Sequence, residues 1–164
     1  MILISLGANL DSPAGPPRAT IAAAEGALAI REIRLLKASP SYRSPAWPDP
    51  SDPPFTNAVA LVRTTLDPAA LLAVLHAVEA EFGRVRSRPN APRTLDLDLI
   101  DYDGRVEEGP PILPHPRAKD RAFVLKPLAD VAPDWIHPAT RQSVATLLAA
   151  LPPSDVAAVV KMST

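Results

Sequence analysis

The sequence predicts an α+β fold of ferredoxin-like type: an antiparallel sheet in the order βαββαβ, helices packed on one face of it, and a helical C-terminal tail. Three observations predict this. Short β-branched or apolar segments alternate with two helical patterns in that order, and strong stop signals separate them. At 164 residues and 47% hydrophobic, the chain is long enough for one core and too short for two comfortable ones.

Each element has its own signature. "MILISLGAN" is a short apolar strand ended by Gly7 and Asn9, and an alanine-rich helix follows over Pro16 to Ala29. A second strand runs from Ile33 to Ala38 and resumes near Tyr42. "TNAVALVRTTL" gives a strand over Thr56 to Thr64. Asp67 is placed to cap the next helix, with Pro68 at its first position, Gly83 past its end, and Leu71, Leu75, Val78 and Phe82 as its apolar stripe. "PRTLDLDLIDYDG" supplies another strand, with Asp103-Gly104 as a hairpin turn into a short strand near Val106. From Phe123 onward the pattern is helical in pieces, broken by Pro127, Pro133 and Pro138.

Composition excludes several function classes. A net charge of −1 does not suit a nucleic-acid or anionic-membrane binder, so any affinity for anions must be local. With no cysteine there is no disulfide framework, thiolate nucleophile or thiolate metal site. No apolar run approaches a membrane span and the opening "MILISLGANL" lacks a signal-peptide pattern, so the expectation is a soluble cytoplasmic protein. Proline is abundant at 21 residues and clusters at 39 to 54 and at 109 to 116, which are expected to be stiff loops.

One strand poses a chemical question. Alternation puts Leu95, Leu97 and Leu99 on one face, and Thr94, Asp96, Asp98, Ile100 and Tyr102 on the other. The aspartate Cα atoms are then roughly 6.6 Å apart at ~3.3 Å per residue, within reach of a shared hard cation. An exposed edge-strand face would also explain the pair, because charges blunt sheet edges. The surroundings favour chemistry. "GRVRSRPNAPR" sets Arg84, Arg86, Arg88 and Arg93 just before the strand with no acid among them, and "HPRAKDR" holds His115, Arg117, Lys119 and Arg121. Guanidinium groups beside a carboxylate pair match polyphosphate chemistry, with magnesium taking the carboxylates and arginine the remaining phosphate charge. Phe55 and Phe123, each beside a polar loop, are candidate walls of a slot for a flat heterocycle, with core packing as the plainer reading.

These segments resemble the 6-hydroxymethyl-7,8-dihydropterin pyrophosphokinase family of folate biosynthesis. The likeness runs in order through "SLGANL", "SYRSPAW", "FTNAVA", "GRVR", "PRTLDLDL" and "PHPRAKDRAFVLKPL". It implies one pyrophosphokinase domain over residues 1 to 164, acting as a monomer. It also implies transfer of pyrophosphate from ATP to the pterin hydroxymethyl group, with release of AMP and two magnesium ions. Carried over by motif, Asp96 and Asp98 hold metal, and Arg84 and Arg93 act with them in catalysis. His76, Glu79, Arg84, Arg86, Arg93, Leu99, Ile112, His115 and Arg121 fall on the ATP side. Ser44, Pro45, Trp47, Phe55, Asn57 and Phe123 fall on the pterin side.

The chain departs from the commonest family pattern in places. "RPNAPR" lacks an aromatic before its Pro-Arg pair, Pro116 replaces an aromatic after His115, Phe55 stands where tyrosine is frequent, and His76 replaces a more usual glutamine. In that family the loops here numbered 43 to 55 and 84 to 93 close over the substrates. Trp47 is the candidate for the missing part of the lid, and anchoring of its loop on the core is the competing role. Two other functions share the pattern: a palm-like metal-dependent nucleotidyltransferase, which releases pyrophosphate rather than AMP, and a non-catalytic ferredoxin-like binding module.

Overall fold

The computed structural model describes residues 1–164. Strand β1 (Ile2–Ala8) lies between β4 (Phe55–Arg63) and β5 (Asp96–Tyr102) and pairs antiparallel with both. The other side of β4 pairs first with β2 (Arg34–Ala38) and then with β3 (Tyr42–Ser44), and β6 (Val160–Lys161) extends β3 outward. Helices α1 (Pro17–Ala29) and α2 (Pro68–Glu81) follow β1 and β4, and β2 and β3 lie one after the other along the same side of β4, so the βαββαβ order holds with its second strand in two pieces. Asp67 caps α2 by accepting from the Ala70 N–H at 2.8 Å, and Gly83 closes it at φ +82°, a conformation that favours glycine.

Strict alternation divides the core. Ile2, Ile4 and Leu6 of β1 stand opposite Val62, Ala60 and Ala58 of β4, and this face packs on Ile21 and Leu28 of α1 and Leu71, Leu75 and Val78 of α2. Leu3, Val59 and Ile100 point the other way, onto Leu125, Leu128 and Trp135. Helices α3 (Ala122–Val131) and α4 (Val144–Ala150) therefore cover the second face. The expected single helical layer becomes two. The C-terminal segment is a layer of the fold because Leu3, Val59 and Ile100 would otherwise leave apolar surface in water.

Three local expectations are corrected. Pro127 does not break α3; it lies inside the helix, where the buried stripe Val124, Leu125, Leu128 and Val131 offsets the ~3 kcal/mol that an interior proline costs. No strand forms near Val106, which is 63% exposed; the chain makes only a bridge between Glu107 and Leu113. Finally, the pairing of β1 with β5 slips between Leu3 and Ile4, leaving Ile100 as an extra residue. Asp96, Asp98 and Ile100 share a face as expected, but Tyr102 returns to the α1–α2 side, where its hydroxyl donates to the Leu66 carbonyl at 2.5 Å. No helix is long and apolar enough to cross a membrane.

Candidate active site

The α3 face of the sheet is only partly covered. Beyond the end of α3, a cavity of about 650 Å³ opens over β1, β3, β4 and β5. Its floor follows from the register. Gly7 stands between Asn57 on β4 and Asp96 on β5, and Ser5 pairs with Asp98. A Cβ on Gly7 would sit 3.4 Å from Asn57 Oδ1 and 3.9 Å from the Phe55 ring, so a larger side chain there would fill the floor. Asn57 donates from Nδ2 to the Ser44 hydroxyl at 2.8 Å, and its oxygen lies beside Gly7. Phe55 and Phe123, from β4 and the first turn of α3, both line the space.

The structure brings Ser44, Pro45, Trp47, Phe55, Asn57, Arg93, Asp96, Asp98, Arg121 and Phe123 to this one cavity. Trp47 is 68% exposed at its rim, so it does not anchor its loop on the core. Both phenylalanine rings carry a guanidinium: Arg93 lies 5.7 Å from the Phe55 centroid and Arg121 5.5 Å from that of Phe123.

Other expected site residues lie outside the cavity. Leu99 is buried in the α1–α2 core, whereas His76 and Ile112 are exposed on the surface. Glu79 is 2% exposed, and its carboxylate is fully engaged. It accepts from Arg84 Nη1 at 2.5 Å, Arg86 Nη2 at 3.0 Å and the Leu97 N–H at 2.9 Å. Burial pushes its carboxyl above the ordinary range, while these three donors act the other way. Arg84 in turn donates to Asp96 Oδ1 at 2.7 Å and to the Leu95 carbonyl at 3.2 Å. Arg93 reaches Asp96 Oδ2 at 3.2 Å. Glu79, Arg84 and Arg93, which the family resemblance sets on the ATP side, thus form one network that ends on Asp96.

Asp98 is differently placed. Burial, and then the charge of Asp96, push its carboxyl up to about 7, against the opposing pull of Arg121. Its nearest cationic or imidazole neighbour is His115, with Nε2 at 3.8 Å. Burial, and then the charge of Arg121, lower His115 to about 4, so its ring is neutral near pH 7. Nδ1 accepts from the Arg117 N–H at 3.1 Å, which leaves the ring proton on Nε2, a donor directed to the Asp98 side. No third histidine or acid joins the two aspartates in a complete metal cage. That donor set suits magnesium, which binds through one or two carboxylates and takes phosphate and water oxygens for the rest.

Sequence reasoning missed several contributors. Asn9 is buried; its Oδ1 accepts from the Arg93 N–H at 2.8 Å and its Nδ2 donates to the Pro53 carbonyl at 3.0 Å, strapping the ends of both loops together. Asn90, Arg117, Asp120, Asp155, Ala158 and Val159 also line the cavity. Asn9 is itself one of the strand-ending residues and Arg117 lies in the basic patch "HPRAKDR". Residues 155 to 159 carry no local signal, because only tertiary packing brings them there.

A family model described as 7,8-dihydro-6-hydroxymethylpterin-pyrophosphokinase (HPPK) matches residues 3–133. The chain is 41% identical over 152 residues to the 2-amino-4-hydroxy-6-hydroxymethyldihydropteridine pyrophosphokinase of Pseudomonas aeruginosa, covering 92% of this chain and 91% of that one. The protein of the same name from Synechocystis is 38% identical, with 89% and 73% covered. Among solved structures, wild-type Plasmodium falciparum HPPK-DHPS superposes with a TM-score of 0.66 at 12% identity, a likeness of fold. The match takes in 89% of this chain and 42% of that longer one. With four fifths of its length matched by the family model and close relatives aligned nearly end to end, the chain belongs to the 7,8-dihydro-6-hydroxymethylpterin-pyrophosphokinase family.

Proposed function

We propose that the chain transfers the terminal pyrophosphate of ATP to the hydroxymethyl group of 6-hydroxymethyl-7,8-dihydropterin in folate biosynthesis, as a cytoplasmic, monomeric, single-domain enzyme without nucleic-acid or membrane partners. One juxtaposition carries the reading: Asp96 and Asp98 open into the same cavity as Phe55, Asn57 and Phe123, with Arg93 and Arg121 beside the rings. The pterin ring lies between the two phenylalanines, and Asn57 reads its amide edge. The triphosphate meets Arg93, Arg121 and the neutral His115, with Arg84 and Arg86 in the adjoining loop.

The pterin oxygen attacks the β-phosphorus in line. The bond from that phosphorus to the α–β bridging oxygen breaks, AMP leaves with the bond's electron pair, and the hydroxyl proton is lost. Arg93 and Arg121 neutralise charge on the transferred group, and the cavity walls align the two reacting atoms. Asp96 and Asp98 would hold two magnesium ions, which when bound neutralise phosphate charge and acidify the attacking hydroxyl. Incubation with ATP, magnesium and the pterin is expected to yield AMP and pterin diphosphate. Release of pyrophosphate would point to nucleotidyl transfer, and binding without turnover to a binding module.

Trp47 gives a second check. The loop at 89 to 91 reads Pro-Asn-Ala, so water must be excluded by another group. We expect tryptophan emission to change when pterin and a non-hydrolysable ATP analogue are both bound, and less with either alone. The change should vanish in Trp47→Phe, because Trp135 is 3% exposed within the α3–α4 core and does not line the cavity. Emission unaltered by the ternary complex would remove Trp47 from the lid.

A further inference from the structure

We propose that Lys126 is a positioning residue for the pterin slot, acting through the C-terminal segment that forms one wall; this rests on the reading of the cavity given above. The family match stops at residue 133, yet Asp155, Ala158 and Val159 line the cavity together with Ser44 and Phe123. These residues belong to a segment with little means of holding itself. Helix α5 (Pro153–Ala157) is five residues long and buries none of them, and β6 has two residues. A single helical turn and a two-residue strand do not persist without tertiary fastening.

Lys126 supplies that fastening. Its Nζ donates to the Val159 carbonyl at 2.6 Å and to the Val156 carbonyl at 3.1 Å, at the end of α5. A cation there satisfies carbonyls that the last helical turn leaves unpaired. The residue does not itself line the cavity, so it acts on substrate only through what it holds. Its position on α3 explains the leverage. Phe123, Lys126 and Asp130 follow at spacings of three and four and share one helical face. Phe123 forms the aromatic wall. Asp130 accepts from the Tyr42 hydroxyl and pairs with Lys161 Nζ at 3.4 Å, fixing β3 and β6. Val156 and Phe123 pack against the same small cluster of Tyr42, Ala122 and Val159. One face of α3 therefore ties the ring wall, the tail wall and the strand that carries Ser44.

Freeing the two carbonyls lets the tail wall recede while the arginine and aspartate side of the cavity stays in place. Lys126→Met is expected to raise the KM for 6-hydroxymethyl-7,8-dihydropterin by about tenfold, the worth of a charge-assisted hydrogen bond. Turnover at saturation should stay within about twofold and the affinity for a non-hydrolysable ATP analogue should not move. Lys126→Arg, which can reach the same two carbonyls, should restore most of the pterin KM. Ala158→Trp adds bulk to the wall without touching the anchor and should weaken pterin binding alone; it decides the matter if Lys126→Met does not fold. A wild-type pterin KM in Lys126→Met overturns the inference, as does a parallel loss for both substrates that arginine does not repair. Normal pterin binding by Ala158→Trp also overturns it. If the wild-type chain forms no AMP from ATP and pterin, the pyrophosphokinase reading itself falls, and this inference with it.

Discussion

Replacing Asp98 by alanine is expected to lower turnover by about three orders of magnitude, a loss of ~4 kcal/mol of transition-state stabilisation, with the fold intact. Asp98 contributes little to the protein without ligands: it has no hydrogen-bonding cation, and it stands on the same strand face as the negatively charged Asp96. Removing a carboxyl whose charged form is disfavoured by burial and by Asp96 relieves that cost, so the thermal midpoint of the ligand-free variant should equal or slightly exceed that of the wild type. Asp96→Ala should behave differently. It also abolishes turnover, but it takes the partner from Arg84 and Arg93 and so lowers the midpoint. Steady-state AMP formation and thermal unfolding of both variants test this. Near-normal turnover in Asp98→Ala would end its assignment as the metal-holding carboxylate.

What could be read from the sequence divides along physical lines. The βαββαβ order was legible because its signals are local: alternation in β1 and β4, the Asp67-Pro68 start and the Gly83 stop of α2. The second helical layer was not. Whether the segment after Phe123 is a loose tail or a layer depends on what Leu3, Val59 and Ile100 bury against, and that is decided across the sheet rather than along the chain. The same holds for Pro127, a reliable helix breaker in water that burial on both sides overrides. The slip at Ile100 shifts the phase of β5 by one residue, which no alternation rule detects.

The site was legible where chemistry requires a residue type at a fixed spacing. Asp96, Asp98, Arg93, Arg121, Phe55, Asn57 and Phe123 meet at one cavity because β4, β5 and the start of α3 end beside one another. Residues whose part is to hold others left no such mark. Asn9 joins the two loops, and Lys126 joins α3 to the tail, each by bonding backbone groups far away in sequence. Glu79 belongs with them. The family resemblance sets it near the nucleotide, and its carboxylate is fully occupied by partners within the protein.

That occupancy makes Glu79→Ala the substitution expected to cost the most stability. The carboxylate is 2% exposed and accepts a backbone donor and two guanidinium donors, so its removal leaves the Leu97 N–H without a partner inside the core. It also leaves Arg84, whose side chain is only 12% exposed, dependent on Asp96 alone for compensation. Breaking a buried, hydrogen-bonded ion pair from one side costs about 3–5 kcal/mol, because the remaining charge stays desolvated. Urea unfolding should show a midpoint lowered accordingly at an unchanged slope. Glu79→Gln keeps an oxygen for the Leu97 N–H and loses only the charge, so it should retain a good part of that stability. Turnover should fall in both variants, since Arg84 and through it Asp96 lose the support that fixes them at the cavity edge. A Glu79→Ala protein within about 1 kcal/mol of wild type would mean that water or Asp96 satisfies these groups, and that Glu79 does not hold the arginine loop to β5.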